Sequence, residues 1–274
     1  MPGAYGFELV GLPGPPAQLV EVERGWPALE IVRVTAESSD VASWIAADRA
    51  EIRLVAGDRL RVERKPLRAT FTTARRLSDA ALLHPYLAPA AAVAAYWLGR
   101  EAFHAGAVVI DDGVWGVIGE KEAGKSSLLA WLALQGHAVF ADDSLVLDGD
   151  VAFAAPRSID LRERPAAGLG AGEPMGTIGD RRRWRLKLGA VPGAGRLRGW
   201  VFLAWSDDVA VVPLAPGARL RQMFDNRMVR GLAPADPAAL LELAALPAFE
   251  FARPRRWDQL ARAAERLLAE LSNS

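Results

Sequence analysis

The 274-residue chain contains no cysteine. That excludes a disulfide framework, a thiolate zinc site and a cysteine nucleophile. Histidine is scarce: there are three, so an imidazole at any site must be His84, His104 or His137. No apolar run is long enough to span a bilayer. The most apolar stretch, residues 87–98, falls well short of the ~20 residues required. Residues 1–16 lack a basic segment followed by a long apolar one, so no signal peptide is read. Excess charge is missing too. Lys+Arg and Asp+Glu each total 33, a balance that calls for neither nucleic acid nor an anionic membrane as main partner. These absences predict a soluble, cytoplasmic protein.

What is present reads as an ordinary globular α/β chain, 51% hydrophobic and 24% charged. Residues 1–75 read as short strands at 17–22, 29–35, 51–55 and 59–64, punctuated by turns at 12–16 and 56–58. A helix is expected over 78–101, capped by Ser78 and Asp79 and broken near Pro85 and Pro89. Strands follow at 105–110 and 114–118, a helix at 126–135 stopped by Gly136, and a buried strand at 138–141. A hairpin is expected over 145–154. Residues 163–182, rich in Gly, Pro and charge, read as a mobile lid or substrate loop. Beyond them come strands at 184–188, 197–204 and 209–214 and helices at 237–246 and 257–271. The division expected is a β-rich region with a linking helix over 1–99, then a P-loop domain over 100–274.

The segment Gly119-Glu-Lys-Glu-Ala-Gly-Lys-Ser fits the pattern G-x-x-x-x-G-K-[ST], with a strand before it and a helix after it. Glycines let the backbone curl so that successive N–H groups point into one anion-sized hollow. The helix N-terminus adds free donors and the positive end of its dipole. Gly119, Glu122, Ala123, Gly124, Lys125, Ser126 and Ser127 are therefore the candidate nucleotide-binding residues, Glu122 through its backbone N–H alone. Lys125 supplies a point charge to the phosphates, and the Ser126 hydroxyl can ligate Mg²⁺. The side chains of Glu120, Lys121 and Glu122 should point outward, since carboxylates beside phosphates repel them.

Phosphoryl transfer needs a metal anchor and a carboxylate that orients the attacking oxygen and takes its proton. Asp142 and Asp143 stand at the end of the buried strand Val139-Phe-Ala, the end where ligands bind in α/β sheets. Neighbouring strand residues face opposite ways, so one can serve the nucleophile and the other the metal. His104 heads the strand before the loop strand. His137, just after Gly136, reads as a group serving the helix end.

Together, Phe103-His-Ala-Gly-Ala-Val-Val, Gly116-Val-Ile-Gly-Glu-Lys-Glu-Ala-Gly-Lys-Ser-Ser and Gln135-Gly-His-Ala-Val-Phe-Ala-Asp-Asp resemble the catalytic domain of HPr kinase/phosphorylase. The resemblance implies a mixed-sheet P-loop fold of the kind shared with phosphoenolpyruvate carboxykinases. It also implies ATP and Mg²⁺ as cofactors, a serine hydroxyl on a small protein as acceptor, and a homo-oligomer. By position it makes Asp142 the base that activates the hydroxyl, Asp143 its partner near the metal, His104 and Lys125 catalytic, and Glu163 a more distant Mg²⁺ ligand. Leu82-Leu-His-Pro-Tyr-Leu and Pro156-Arg-Ser-Ile-Asp-Leu-Arg are similar to the shorter kinases of peptide clusters, the lasso-peptide kinases among them, which phosphorylate a precursor peptide.

Arg157 and Arg162 are further candidates to reach the phosphates. The run Arg181-Arg-Arg-Trp-Arg-Leu-Lys reads either as a clamp on phosphate or acidic substrate or as a solvated strand edge. Trp184 and Trp257 are the tryptophans placed to stack on a ligand. The reading is a Ser/Thr-directed protein or peptide kinase. The alternatives are a kinase of a sugar or metabolite hydroxyl, and a non-catalytic nucleotide-binding regulator.

Overall fold

The structure is a computed structural model, and it describes residues 1–12, 18–37, 41–178 and 181–273. Its first sheet has eight strands, in the order Val20–Glu21, Pro2–Ala4, Phe7–Val10, Ala28–Thr35, Leu67–Thr73, Arg59–Arg64, Arg49–Arg53 and Trp44–Ile45. The β-rich reading of the first 75 residues agrees with this. The turn expected at 12–16 and the start of the strand expected at 17 lie outside the described residues, apart from Leu12. Two hairpin strands at the N-terminus and Leu67–Thr73 escaped the sequence reading because they are short or mixed in polarity.

The helix expected over 78–101 is divided. Ser78 accepts from the Ala81 N–H and caps a short turn, Asp79–Ala81. The chain then kinks where His84 leaves helical geometry before Pro85. It resumes as Leu87–Trp97. Pro89 causes no second break, because it lies in the first turn, where its missing N–H has no partner to lose. Glu101 belongs to the next strand, Glu101–Phe103, rather than to the helix.

A nine-stranded mixed sheet carries the second half. Its path runs Val139–Ala141, Ala105–Ile110, Gly113–Ile118, Ala194–Trp205, Val151–Phe153, Leu145–Asp148 and Glu101–Phe103, with Ala248–Arg253 and Ala210–Pro213 added beside Ala194–Trp205. The helix Lys125–Leu134 packs on this sheet through Leu128, Leu129 and Leu132, against Val108, Val117, Val201 and Phe251. Gly106 is required there, since a Cβ would collide with the Leu129 side chain. Gly136 (φ 91) ends the helix, and the His137 backbone N–H donates to the Leu132 carbonyl at 3.0 Å. Apolar residues from both sides of position 100, from Ala4 and Phe71 to Phe103 and Trp200, belong to one buried cluster.

The lid expected over 163–182 is not a loop. Glu163–Leu169 is a helix, and Glu173–Ile178 pairs antiparallel with Arg181–Lys187, which pairs in turn with Ser158–Leu161. The glycines that suggested mobility have fixed jobs. Gly170 (φ 59) is the left-handed cap of the helix, and Gly176 (φ 73) sits where the strand register shifts. Gly179 and Asp180 lie outside the described residues.

Candidate active site

Four strand ends open on one side of the nine-stranded sheet. Gly113–Ile118, Ala194–Trp205 and Ala248–Arg253 run parallel. Val139–Ala141 runs the same way, being antiparallel to Ala105–Ile110, itself antiparallel to Gly113–Ile118. Their carboxyl ends therefore bring together the 119–124 loop, Trp205, Arg253 and Asp142. His104, at the head of Ala105–Ile110, faces the same end. Carboxyl ends of parallel strands are where α/β sheets take ligands.

The loop leaves its strand at Gly119 and enters the ten-residue helix at Lys125. Glu122 (φ 70) and Gly124 (φ 80) are both left-handed, and the Ala123 N–H donates to the Glu120 carbonyl at 3.0 Å. Such a curl gathers amide donors on its inner side. Packing keeps it tight. A Cβ on Gly119 would lie 2.9 Å from that of Ala123, and one on Gly124 would lie 2.8 Å from Arg253 Nη2. Glu122 points outward, as expected, to Arg162 at 2.8 Å and Arg255 at 3.9 Å.

Arg253 is a residue the sequence reading missed. Its buried guanidinium donates from Nη2 to the Ala123 carbonyl at 2.9 Å and to that of Gly124 at 3.4 Å. It stacks 4.5 Å from the ring centre of Trp205. By holding loop carbonyls outward it leaves the amides to face the hollow. Burial lowers its pKa to about 10, which still leaves it cationic at neutral pH. The available signal was the alternating run Ala248-Phe-Glu-Phe-Ala-Arg, a strand whose last residue reaches the ligand end of the sheet.

Lys125 is buried, and its Nζ donates to the His104 carbonyl at 3.1 Å. Burial lowers its pKa, opposed by the charges of Asp143 and Asp142. Ser126 Oγ donates to Asp142 Oδ1 at 3.0 Å. Asp142 is only 4% exposed, and its Oδ2 is buried without a hydrogen-bond partner among the described residues. Burial, then the charge of Asp143, push the Asp142 carboxyl up to about 7, against the pull of Lys125 and the Ser126 bond.

Asp143 adopts φ 68, and the Ser144 N–H closes onto the Asp142 carbonyl at 2.9 Å. This tight turn gives the two carboxylates separate surroundings. Burial would raise Asp143, but His84, His104, Lys125 and Arg183 outweigh it and hold its pKa below the usual carboxylate value. One carboxyl is thus kept near neutrality while its neighbour is ionised. His104 Nδ1 stands 3.3 Å from Asp143 Oδ1. Burial, then Lys125, lower the His104 pKa, so the imidazole is neutral at pH 7.

A second unforeseen neighbour is Tyr5. It is buried, left-handed at φ 59, and its backbone N–H donates to the Ala154 carbonyl at 2.8 Å. Burial and the nearby charges of Asp143 and Asp142 raise its phenol pKa. Nothing in the opening residues of a β-rich segment signals such a place.

Other candidates are placed differently. Arg157 does not reach toward phosphate. Its buried guanidinium is used up by the carbonyls of Val139, Phe140 and Gly189 at 2.6–3.3 Å, so it braces the strand that carries Asp142. The basic run divides between two surroundings. Arg185 makes a two-bond pair with Asp160 at 2.6 and 2.8 Å and also donates to the carbonyls of Ala80 and His84. Arg183 lies 3.7 Å from Asp160. Arg181, Arg182 and Trp184 instead line an open cleft with Lys121, Glu122, Arg162 and Glu163. Ser127 is half-buried in the first helical turn. Trp257 packs over Gly168, where a Cβ would meet its ring at 2.8 Å.

A magnesium nucleotide suits this arrangement. The glycine-dependent curl offers converging amides to anionic oxygens, and Asp142 Oδ2 is a buried acceptor still lacking a donor. Among the described residues no three His, Asp or Glu side chains converge on one point. Ser126 and Asp143 would therefore hold Mg²⁺ only together with phosphate oxygens, the usual habit of that ion.

No protein-family model matches the chain, and no curated protein does. Among solved structures it is similar to the HPr(Ser) kinase/phosphatase of Coxiella burnetii, at 13% identity over 62% of this chain and 97% of that one, with a TM-score of 0.32. A likeness that low does not bear on function. No helix among the described residues is long and apolar enough to cross a membrane.

Proposed function

We propose that this chain is an ATP- and Mg²⁺-dependent kinase that transfers the γ-phosphoryl group to a serine or threonine hydroxyl of a small protein or peptide. The observation that carries the proposal is the junction of Ser126 with Asp142. A carboxylate against the first helical turn can serve a magnesium nucleotide as part of the metal's surroundings or as the base for an incoming hydroxyl. The second Asp142 oxygen, buried and without a donor, favours the base.

Asp142 Oδ2, unpartnered and beside the loop, is the atom that takes the hydroxyl proton. Its pKa of about 7 matches that task at neutral pH, where a base must be both deprotonated and basic enough to act. Asp143, kept ionised, and the Ser126 hydroxyl would hold Mg²⁺, which offsets phosphate charge when bound. Lys125 sets its ammonium beside the hollow. His104, neutral, steadies Asp143 and lends its carbonyl to Lys125.

The test is Asp142→Asn assayed with labelled ATP, Mg²⁺ and candidate acceptor proteins encoded nearby. Nucleotide binding should persist while transfer falls by about 10²–10⁴-fold, the usual contribution of a positioned base. Turnover equal to that of the wild type would remove Asp142 from the reaction.

A further inference from the structure

An open cleft of about 410 Å³ lies along the outer edge of the phosphate loop, lined by Lys121, Glu122, Arg162, Glu163, Arg181, Arg182 and Trp184. Four of these side chains are cations and two are carboxylates. Glu122 is already engaged by Arg162 at 2.8 Å. Lys121 and Arg182, both exposed, make no ion pair with a carboxylate among the described residues. The lining therefore carries more cationic than anionic side chains, with Lys121 and Arg182 its exposed cations outside any such pair.

The cleft is fixed firmly to the site. Its helix, Glu163–Leu169, shares an apolar cluster with Leu128 and Leu129 of the phosphate-loop helix through Ala166. Its strand, Arg181–Lys187, is pinned by the buried Arg185–Asp160 pair. The Glu122–Arg162 contact joins the lining of the cleft to the loop itself. A chain lying here would run along the outer edge of the phosphate loop, at Lys121 and Glu122.

Polyphosphate is a poor occupant, because the backbone amides that suit phosphate belong to the inner side of the loop. Separated guanidiniums, a lysine and an indole face suit an extended chain bearing several carboxylates. We propose that this cleft docks the phosphoryl acceptor, selecting a peptide segment in which Asp and Glu flank the reacting hydroxyl. The proposal rests on the kinase reading and gives its acceptor a chemical class.

The probes are three fluorescently labelled peptides, each with one serine, flanked by Asp/Glu, by Gly/Asn or by Lys. Binding to the full chain is read by anisotropy at low and high salt. The acidic peptide should bind tightest and weaken as salt rises. Arg182→Glu should reduce its affinity by about two- to fivefold and narrow its advantage over the Lys peptide, whereas Arg182→Lys should largely retain it. Equal binding of the three peptides, or an affinity unmoved by Arg182→Glu, overturns the docking proposal even where ATP binds. A fluorescent ATP analogue, titrated into the same preparations, reports on the phosphate loop separately. Failure there overturns the kinase reading, whatever the peptides do.

Discussion

Asp142→Asn should make the nucleotide-free protein more stable, and by an amount that grows with pH. The folded carboxyl has a pKa near 7 against an ordinary 3.8. Between those values the folded state keeps a proton that the unfolded chain has released, so wild-type stability falls as pH rises and levels off above 7. Each unit corresponds to about 1.36 kcal/mol. The loss relative to low pH is then about 2 kcal/mol at pH 5 and about 4 kcal/mol at pH 8. Asparagine does not titrate, but it still buries an unpartnered polar atom, which costs about 1–2 kcal/mol. The variant should therefore nearly equal the wild type at pH 5 and exceed it by about 2 kcal/mol at pH 8. For a chain of this size that is a melting-temperature gap of roughly 4–8 °C. Circular-dichroism melts without nucleotide or metal, from pH 5 to pH 8, measure it directly. A gap that stays flat with pH, or that favours the wild type at pH 8, would show that Asp142 carries no buried-charge penalty.

Three further outcomes follow from the same geometry. Lys125→Ala should abolish measurable ATP binding in calorimetry, and an intact isotherm would refute the loop assignment. Arg253→Met should raise the KM for nucleotide by about tenfold or more, because the freed carbonyls of Ala123 and Gly124 no longer hold the curl; Arg253→Lys should recover part of it, a lost charged hydrogen bond being worth about 1.5–3 kcal/mol. Gly124→Ala forces a side chain onto φ 80 and against Arg253. It should cost about 1–3 kcal/mol in denaturant unfolding, and a neutral result would mean that the loop relaxes freely.

The strand–loop–helix unit was legible because its signals are local. Val114 to Ile118 alternates nothing and is buried throughout, the glycines mark the curl, and Gly136 marks the stop. The Asp pair was legible for the same reason, as two acids directly after a short apolar run. What stayed hidden depends on contacts far apart in sequence. Arg253 is 130 residues from Ala123, and Tyr5 reaches the acid pair only because its hairpin folds back to Ala154. The expected lid failed for a different reason. Glycine and proline mark departures from regular backbone, and composition cannot separate a cap or a bulge from slack. Arg157 failed because a buried guanidinium can be wholly consumed by carbonyls, and no spacing rule shows where those carbonyls lie.

The hairpin that carries Tyr5 also has a bearing on how the molecule can be handled. Tyr5 is buried close enough to the two carboxylates for their charges to raise its phenol pKa, so the oldest habit in protein preparation, trimming or tagging the front of a chain, touches the chemistry here. A change that tugs at the strand Pro2–Ala4 would reach Tyr5, the next residue, and through it the surroundings of both acids.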